Sequence, residues 1–556
     1  MVISATHVLY PQKISRASSL SDLVDITVPI IKESNPVLAT TMGVILYNNL
    51  WPDISTHGVD RDIRTWKAIQ TKLNEISIQP DEEDDFALLK WFVTMNLFEL
   101  EELRYWESAH LLSSLVFRGI STLVSKSVPD QTSRVESIIA RLRSIAPLIK
   151  GEQRRLISPV KLWVDAEIQS LNGVIRYIRT LSGMFSDESK ELVDELDQTA
   201  NFCISELAKH MQWLEKLEGG DLPINPEMYE KLLELRKIGY SSAELEQLGW
   251  HYLEWTELEL EKLCDALDGE DIQSLRQEIR GDHENDFDAV LQSYKVLADR
   301  AKNFLVGNDL ITLPEEKLIV KFTPEPLRNA LSIAAAGMPG RFDKDQTGYF
   351  YCTPHDDDAM LEEHSYAYQP LLISHESYPG HHLHGACQNQ YPSLIRSSLY
   401  SSSSANTGLM YSSQLADITE GWGLYSEEMM WRQGFENDPA DPDLRQRFLQ
   451  VNAMRWRAAR IVIDTQLHSG RMSYDEAVEF LIEKTGYHRK TVEAELLMYS
   501  RSPGYFSSYL LGKHQLTDLY KKVQPYLSLK EFHDTIVYAG KVPLWYIKQL
   551  ILAKAE

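Results

Sequence analysis

The chain has 556 residues, 43% of them hydrophobic and 25% charged, with 56 Lys and Arg against 81 Asp and Glu, a formal net charge of −25. That length suits two or three ordinary domains or one large helical body. The acidity excludes nucleic-acid partners, because a phosphate backbone would be repelled and no basic stripe occurs.

No apolar run approaches the length of a membrane span, so no membrane partner is expected. The first residues, MVISATHVLYPQKISRASS, show neither a leader pattern nor a lipidation cysteine. Cys203, Cys264, Cys352 and Cys387 are widely spaced and form no CxxC pair, which reads as reduced thiols rather than disulfides or a thiolate metal site. The expected location is cytoplasmic, and the sequence assigns no oligomeric state.

Along the chain, residues 86–117 carry apolar side chains at three- and four-residue spacing without Gly or Pro, which predicts helix. Residues 133–149 and 188–217 behave the same way. Asn225-Pro226 places a cap before a first-turn proline. Ser241 with Glu244, Ser473 with Glu476, and Ser528 with Glu531 each fit a capping box, in which two side chains satisfy the end amides reciprocally. The pattern changes between about 306 and 360. LIVKFTPEPL (318–327) and TGYFYCTP (347–354) read as strands, and AAAGMPGRFDKDQTG between them as loop. Helical periodicity then returns, interrupted near 397–408 and 435–443. The serine run 397–404 reads as a solvated loop, with a mobile lid as the alternative. The fold class is therefore mainly α, with a small β element before the motif described next. The chain is divided into a helical N-terminal lobe, 1–305, and a catalytic lobe, 306–556.

The most informative segment is HESYPGHH, from His375 to His382. Neutral imidazoles ligate divalent transition metals, and an adjacent carboxylate can take a proton from an activated water. In an HExxH helix the second histidine falls four residues after the first, on the same face. Here that position is Pro379. On an unbroken helix His381 would lie about 240° round from His375, and His382 about 10 Å further along the axis. Pro379 and Gly380 must therefore break the helix and re-aim the next histidine. His375 and His381 are the expected ligands of one zinc ion, with His382 as the substitute or as a supporting donor. Glu376 is the expected general base. The third ligand is sought on DITEGWGLYSEEMM, where Glu420 is the best candidate. Glu427 lies two turns along the same face and would hold a ligand histidine or bind a substrate amine. Glu428 reads as a solvated face.

HESYPGHHLH followed by EGWGLYSEE resembles the family called domain of unknown function 885. The likeness extends to residues 221–250, to TGYFYCTP, and to the C-terminal segments SPGYFSSYLLGKHQLTDLYKK and LKEFHDTIVYAGKVPL. Members of that family are generally placed with gluzincin-type metallopeptidases. The resemblance implies a two-lobed helical body with a central cleft, one zinc ion at its floor, and peptide-bond hydrolysis. It implies His375, His381 and Glu420 as ligands and Glu376 as base, and it puts Tyr509 and Lys513 in the motif where related enzymes supply a phenol to the oxyanion. Strand 347–351 would align an extended peptide by edge pairing. Arg455, Arg457, Arg460 and Arg501 are the candidates for closing the cleft. The expected substrate is a short peptide or small amide. The alternatives are an amide hydrolase or lyase acting on a small molecule, and a non-catalytic helical binding protein.

Overall fold

The computed structural model describes residues 10–126, 128–328, 331, 333–398, 405–438, 440 and 442–556. Most of the serine run, residues 399–404, lies outside the described residues. The chain forms two compact units. One comprises Met1–Pro223, Gly340–Lys344 and Pro392–Met410; the other comprises Ile224–Pro339, Asp345–Tyr391 and Tyr411–Glu556.

The first unit is helical. Helices Leu112–Ser125, Gln131–Arg143, Lys161–Met184 and Lys190–Leu214 share one apolar core, to which Val116, Ile138, Leu142, Ile178 and Leu196 contribute. Fully burying side chains of this size contributes about 1.5–3 kcal/mol each. The helix expected over 86–117 is not continuous. Glu83–Leu97 runs into a wide π turn at Phe98–Leu103, which ends at left-handed Arg104, whose φ is 51°. The next helix starts at Leu112 because a remote carboxylate supplies its cap. Buried Glu152 accepts from the Leu111 and Leu112 amides at 2.6 and 3.0 Å. A periodicity argument sees only local spacing and misses such a partner.

The second unit contains α1 (Ser242–Ala266), α2 (Phe287–Gly307), a three-stranded sheet, and then α3 (Gln369–Glu376), α4 (His381–Asn389), α5 (Ala416–Gln433), α6 (Leu444–His468) and α7 (Ser508–Val523). The division expected at 305 falls within α2; α1 and α2 both belong to the second unit, where α1 packs on α6 and α2 on α3. The capping boxes at Ser241, Ser473 and Ser528 are all formed, and Asn225 caps Met228. α1 lies along α6, close enough that a Cβ on Gly249 would sit 2.9 Å from the Val462 side chain. α5 crosses α7 at Gly421 and Gly512, which brings the backbones nearly into contact.

The sheet has the order β1-β3-β2. β1 (Lys317–Phe322) is parallel to β3 (Thr347–Cys352), and β2 (Ala334–Gly337) is antiparallel to it. β1 and β3 lie where the sequence puts strands. β2 lies in the stretch read as loop, because Ala-Ala-Ala-Gly carries no β-branched or aromatic signal. The expectation that residues 347–351 offer a free edge is corrected: β3 is central and paired on both sides, so the outer strands are β1 and β2. All four cysteines are buried and unpaired. Among the described residues, no helix is long and apolar enough to cross a membrane.

Candidate metal centre

α3 ends at Glu376, and α4 begins five residues on, at His381. Between them Ser377 leaves helical geometry and the Tyr378-Pro379 peptide is cis. The chain doubles back so tightly that a Cβ on Gly380 would lie 1.8 Å from the His375 carbonyl oxygen, which excludes every residue but glycine. Trp422 of α5 fixes this turn from outside, its indole Nε1 donating to the Pro379 carbonyl at 2.9 Å.

The break brings the His375 and His381 rings edge to face, with centroids 4.7 Å apart. Glu420 of α5 points between them. Its Oε2 is 3.8 Å from His375 Nε2 and 3.6 Å from His381 Nε2. One donor atom from each of the three residues lies within 4.8 Å of the others. These separations are too long for good hydrogen bonds. They are close to the roughly 3.4 Å that separates two ligands of a tetrahedral zinc ion with bonds of about 2.0–2.1 Å.

The surrounding groups orient this trio. His375 Nδ1 lies 2.8 Å from Glu427 Oε1, and since a carboxylate only accepts, the nitrogen donates. That leaves Nε2 directed at Glu420. Gly423 makes room for the ring: a Cβ there would be 2.6 Å from His375 Cε1 and 2.7 Å from Nε2. Tyr505 donates to Glu420 Oε1 at 2.8 Å, so only Oε2 faces the histidines. Burial would lower the His375 pKa, but the Glu420 and Glu427 carboxylates outweigh it and raise the pKa to about 10. Glu420 is held well below the usual carboxylate range, because the two imidazoles overcome the burial that would raise it. The two carboxylates thus draw positive charge to the cluster.

Glu376 lines the same pocket, with its Oε2 accepting from the Ala336 amide at 2.9 Å. That amide is on the side of β2 turned away from β3. The pocket measures about 520 Å³, a size common for small-ligand sites. Tyr509, Arg457 and Arg460 form another part of its wall. Burial raises the Tyr509 pKa well above its ordinary value, with Glu420 adding to the rise, so the phenol is a neutral donor.

Other expected residues lie elsewhere. His382 turns away from the cluster and binds Glu316, which also accepts from Tyr378 and Lys302. Lys513 lies against Glu428 and reaches Met454 Sδ at 3.1 Å. Glu428 is accordingly not a solvated face: Lys513, Arg447 and Arg432 surround it. Arg455 donates to the Lys484 carbonyl, outside the pocket, and Arg501 is also absent from the lining. Sequence reasoning missed Tyr505, although its i, i+4 spacing to Tyr509 was a usable signal. It also missed the roles of Trp422 and Gly423.

Residues 36–551 match the sequence model of the family described as "Bacterial protein of unknown function (DUF885)". The chain belongs to that family. Among curated proteins, none matches. Two solved structures share the fold. One is described as "a putative lipoprotein of unknown function" from Shewanella oneidensis, with 19% identity, a TM-score of 0.76, and coverage of 96% of this chain and 100% of that one. The other is "the putative lipoprotein" from Colwellia psychrerythraea, with 16% identity, a TM-score of 0.79, and coverage of 97% and 100%. Family membership therefore brings no activity with it, and the functional reading rests on the side chains themselves.

Proposed function

We propose that this DUF885 protein is a zinc-dependent hydrolase of peptide or amide bonds in short substrates. The observation that carries the proposal is the convergence of His375 Nε2, His381 Nε2 and Glu420 Oε2 beside Glu376 in one pocket. The donor set fits the ion. Two imidazoles and one carboxylate are a common catalytic zinc set, and the Glu427 contact to His375 is the usual second partner of such a ligand. A zinc ion held there would polarise the scissile carbonyl and make water nucleophilic near neutral pH.

The chain's own groups supply the rest. Glu376 takes the proton from the attacking water and hands it to the leaving nitrogen. Its present partner, the Ala336 amide, holds the carboxylate in the pocket wall. The neutral Tyr509 phenol donates to the oxyanion as charge develops. Glu427 fixes the His375 ring, and Tyr505 limits Glu420 to one oxygen. The outward edge of β2 can align an extended substrate by main-chain pairing. A cytoplasmic location belongs to the same proposal, on the strength of the four unpaired buried cysteines. Cell fractionation tests it against the lipoprotein descriptions of the two relatives.

The test is cleavage of a mixed short-peptide library by the zinc-loaded protein, with Glu376→Gln alongside. Cleavage in the wild type, abolished in Glu376→Gln, supports the proposal. Bound zinc without cleavage of any peptide overturns the peptidase reading and directs the search to small amides.

A further inference from the structure

Arg457 and Arg460 are three residues apart on α6 and so share one face, which is turned to the pocket. Their surroundings differ. Arg460 is neutralised within the protein: its Nε donates to the Tyr499 phenol at 2.7 Å and its Nη2 to Glu495 at 3.0 Å. Among the described residues, Arg457 has one contact of this kind, Nη1 to the Ala453 carbonyl of its own helix at 3.1 Å. Its Nε is buried with no hydrogen-bond partner among the described residues, and no carboxylate there forms an ion pair with it. A buried guanidinium nitrogen without a partner is costly, and such groups ordinarily find one.

The side chain also lies close to the cluster. Arg457 opposes the burial-driven rise of both the Tyr368 and Tyr509 phenols, and Tyr509 also feels Glu420. Tyr368, Tyr509 and Arg457 all line the pocket that contains His375 and Glu376.

We propose that Arg457 is the receptor for the substrate's own carboxylate, and that the substrates are short peptides with a free C-terminus close to the scissile bond. This rests on the hydrolase reading above and adds the substrate class. A planar guanidinium binds a carboxylate through two parallel hydrogen bonds, which a neutral C-terminal amide cannot reproduce. Arg457 Nε is buried, so the fork is offered by Nη1 and Nη2, in the same pocket as Glu420. The arrangement selects cleavage near the C-terminal end over internal cleavage of longer chains.

The experiment compares N-acyl dipeptides as free acids and as C-terminal amides on the zinc-loaded full chain. Wild type is set beside Arg457→Gln and Arg457→Lys. The acid-to-amide ratio of kcat/KM is expected to be at least about 10 in wild type. It falls toward about 1 in Arg457→Gln, chiefly through KM, and takes an intermediate value in Arg457→Lys, which keeps the charge but loses the fork. Equal cleavage of acid and amide by wild type, or an unchanged ratio in both variants, overturns the assignment and leaves the hydrolase reading intact. If neither substrate is cleaved, the peptidase part of the hydrolase reading fails. Equilibrium binding of the same pair then decides for Arg457: tighter binding of the acid, lost in Arg457→Gln, supports it, and equal binding overturns it. The wild-type acid–amide comparison stands even if a variant fails to fold.

Discussion

Gly423→Ala is the smallest change that tests the geometry of the cluster. The added methyl would lie 2.6 Å from His375 Cε1 and 2.7 Å from Nε2, where ordinary contact begins at 3.4 Å. The ring or the α5 backbone must therefore yield by about 0.8 Å. His375 has little freedom to do so. Its side chain is 10% exposed, its Nδ1 is held by Glu427 at 2.8 Å, and its helix ends one residue later. Zinc–ligand distances tolerate about 0.2 Å, so the displacement is several times what the coordination absorbs. The cost of overpacking itself is modest, about 1–3 kcal/mol of stability. The variant should fold, keep a cooperative melt when metal-free, and bind zinc about 10- to 100-fold more weakly, or about 1.4–2.7 kcal/mol. Competition with a fluorescent chelator measures this, and circular dichroism checks the fold. A folded Gly423→Ala protein with wild-type zinc affinity would refute the assignment of His375 Nε2 to the ion.

Glu427→Gln removes the charge behind His375 and should weaken zinc binding about 10- to 100-fold by the same competition assay, with the secondary structure intact. Glu376→Gln should retain about one zinc per chain while kcat/KM falls by at least about 100-fold, since the lost function is proton transfer rather than ligation. Acid stability should depend on Glu316. Burial would raise its pKa, but hydrogen bonds from His382, Lys302 and Tyr378 lower it to about 2 from an ordinary 4.5. The ionised carboxylate then adds stability that is fully present above pH 4.5 and lost as the pH falls through about 2. Denaturant melts of Glu316→Gln should be flatter than wild type over that interval. Parallel curves would contradict this.

Much of the site is legible in the sequence wherever a single residue type forces a local outcome. Pro379 and Gly380 announce the break between α3 and α4, because one cannot continue the hydrogen-bond ladder and the other alone fits against His375. The capping boxes are legible for the same reason. Which histidine follows the break toward Glu420 is not legible, since a break resets the helical phase from which a 100° rotation is counted. α4 starts afresh at His381, and His382 goes to Glu316, a partner 66 residues earlier. Tertiary partners likewise decide Lys513. It is one helical turn from Tyr509, but Glu428 of α5 takes its ammonium. The alanines of β2 form a strand because β3 offers an edge, which local propensity does not record. The same applies to Glu152, whose cap on Leu112 comes from 40 residues away.

The most direct test of the central claim is the zinc content of the purified protein after equilibrium dialysis. Wild type should be measured beside His375→Ala, His381→Ala and Glu420→Ala, each checked for fold. The account predicts about one zinc per chain in the wild type and near none in each variant. No zinc in wild type after supplementation, or full zinc in variants that lack a ligand, would contradict it.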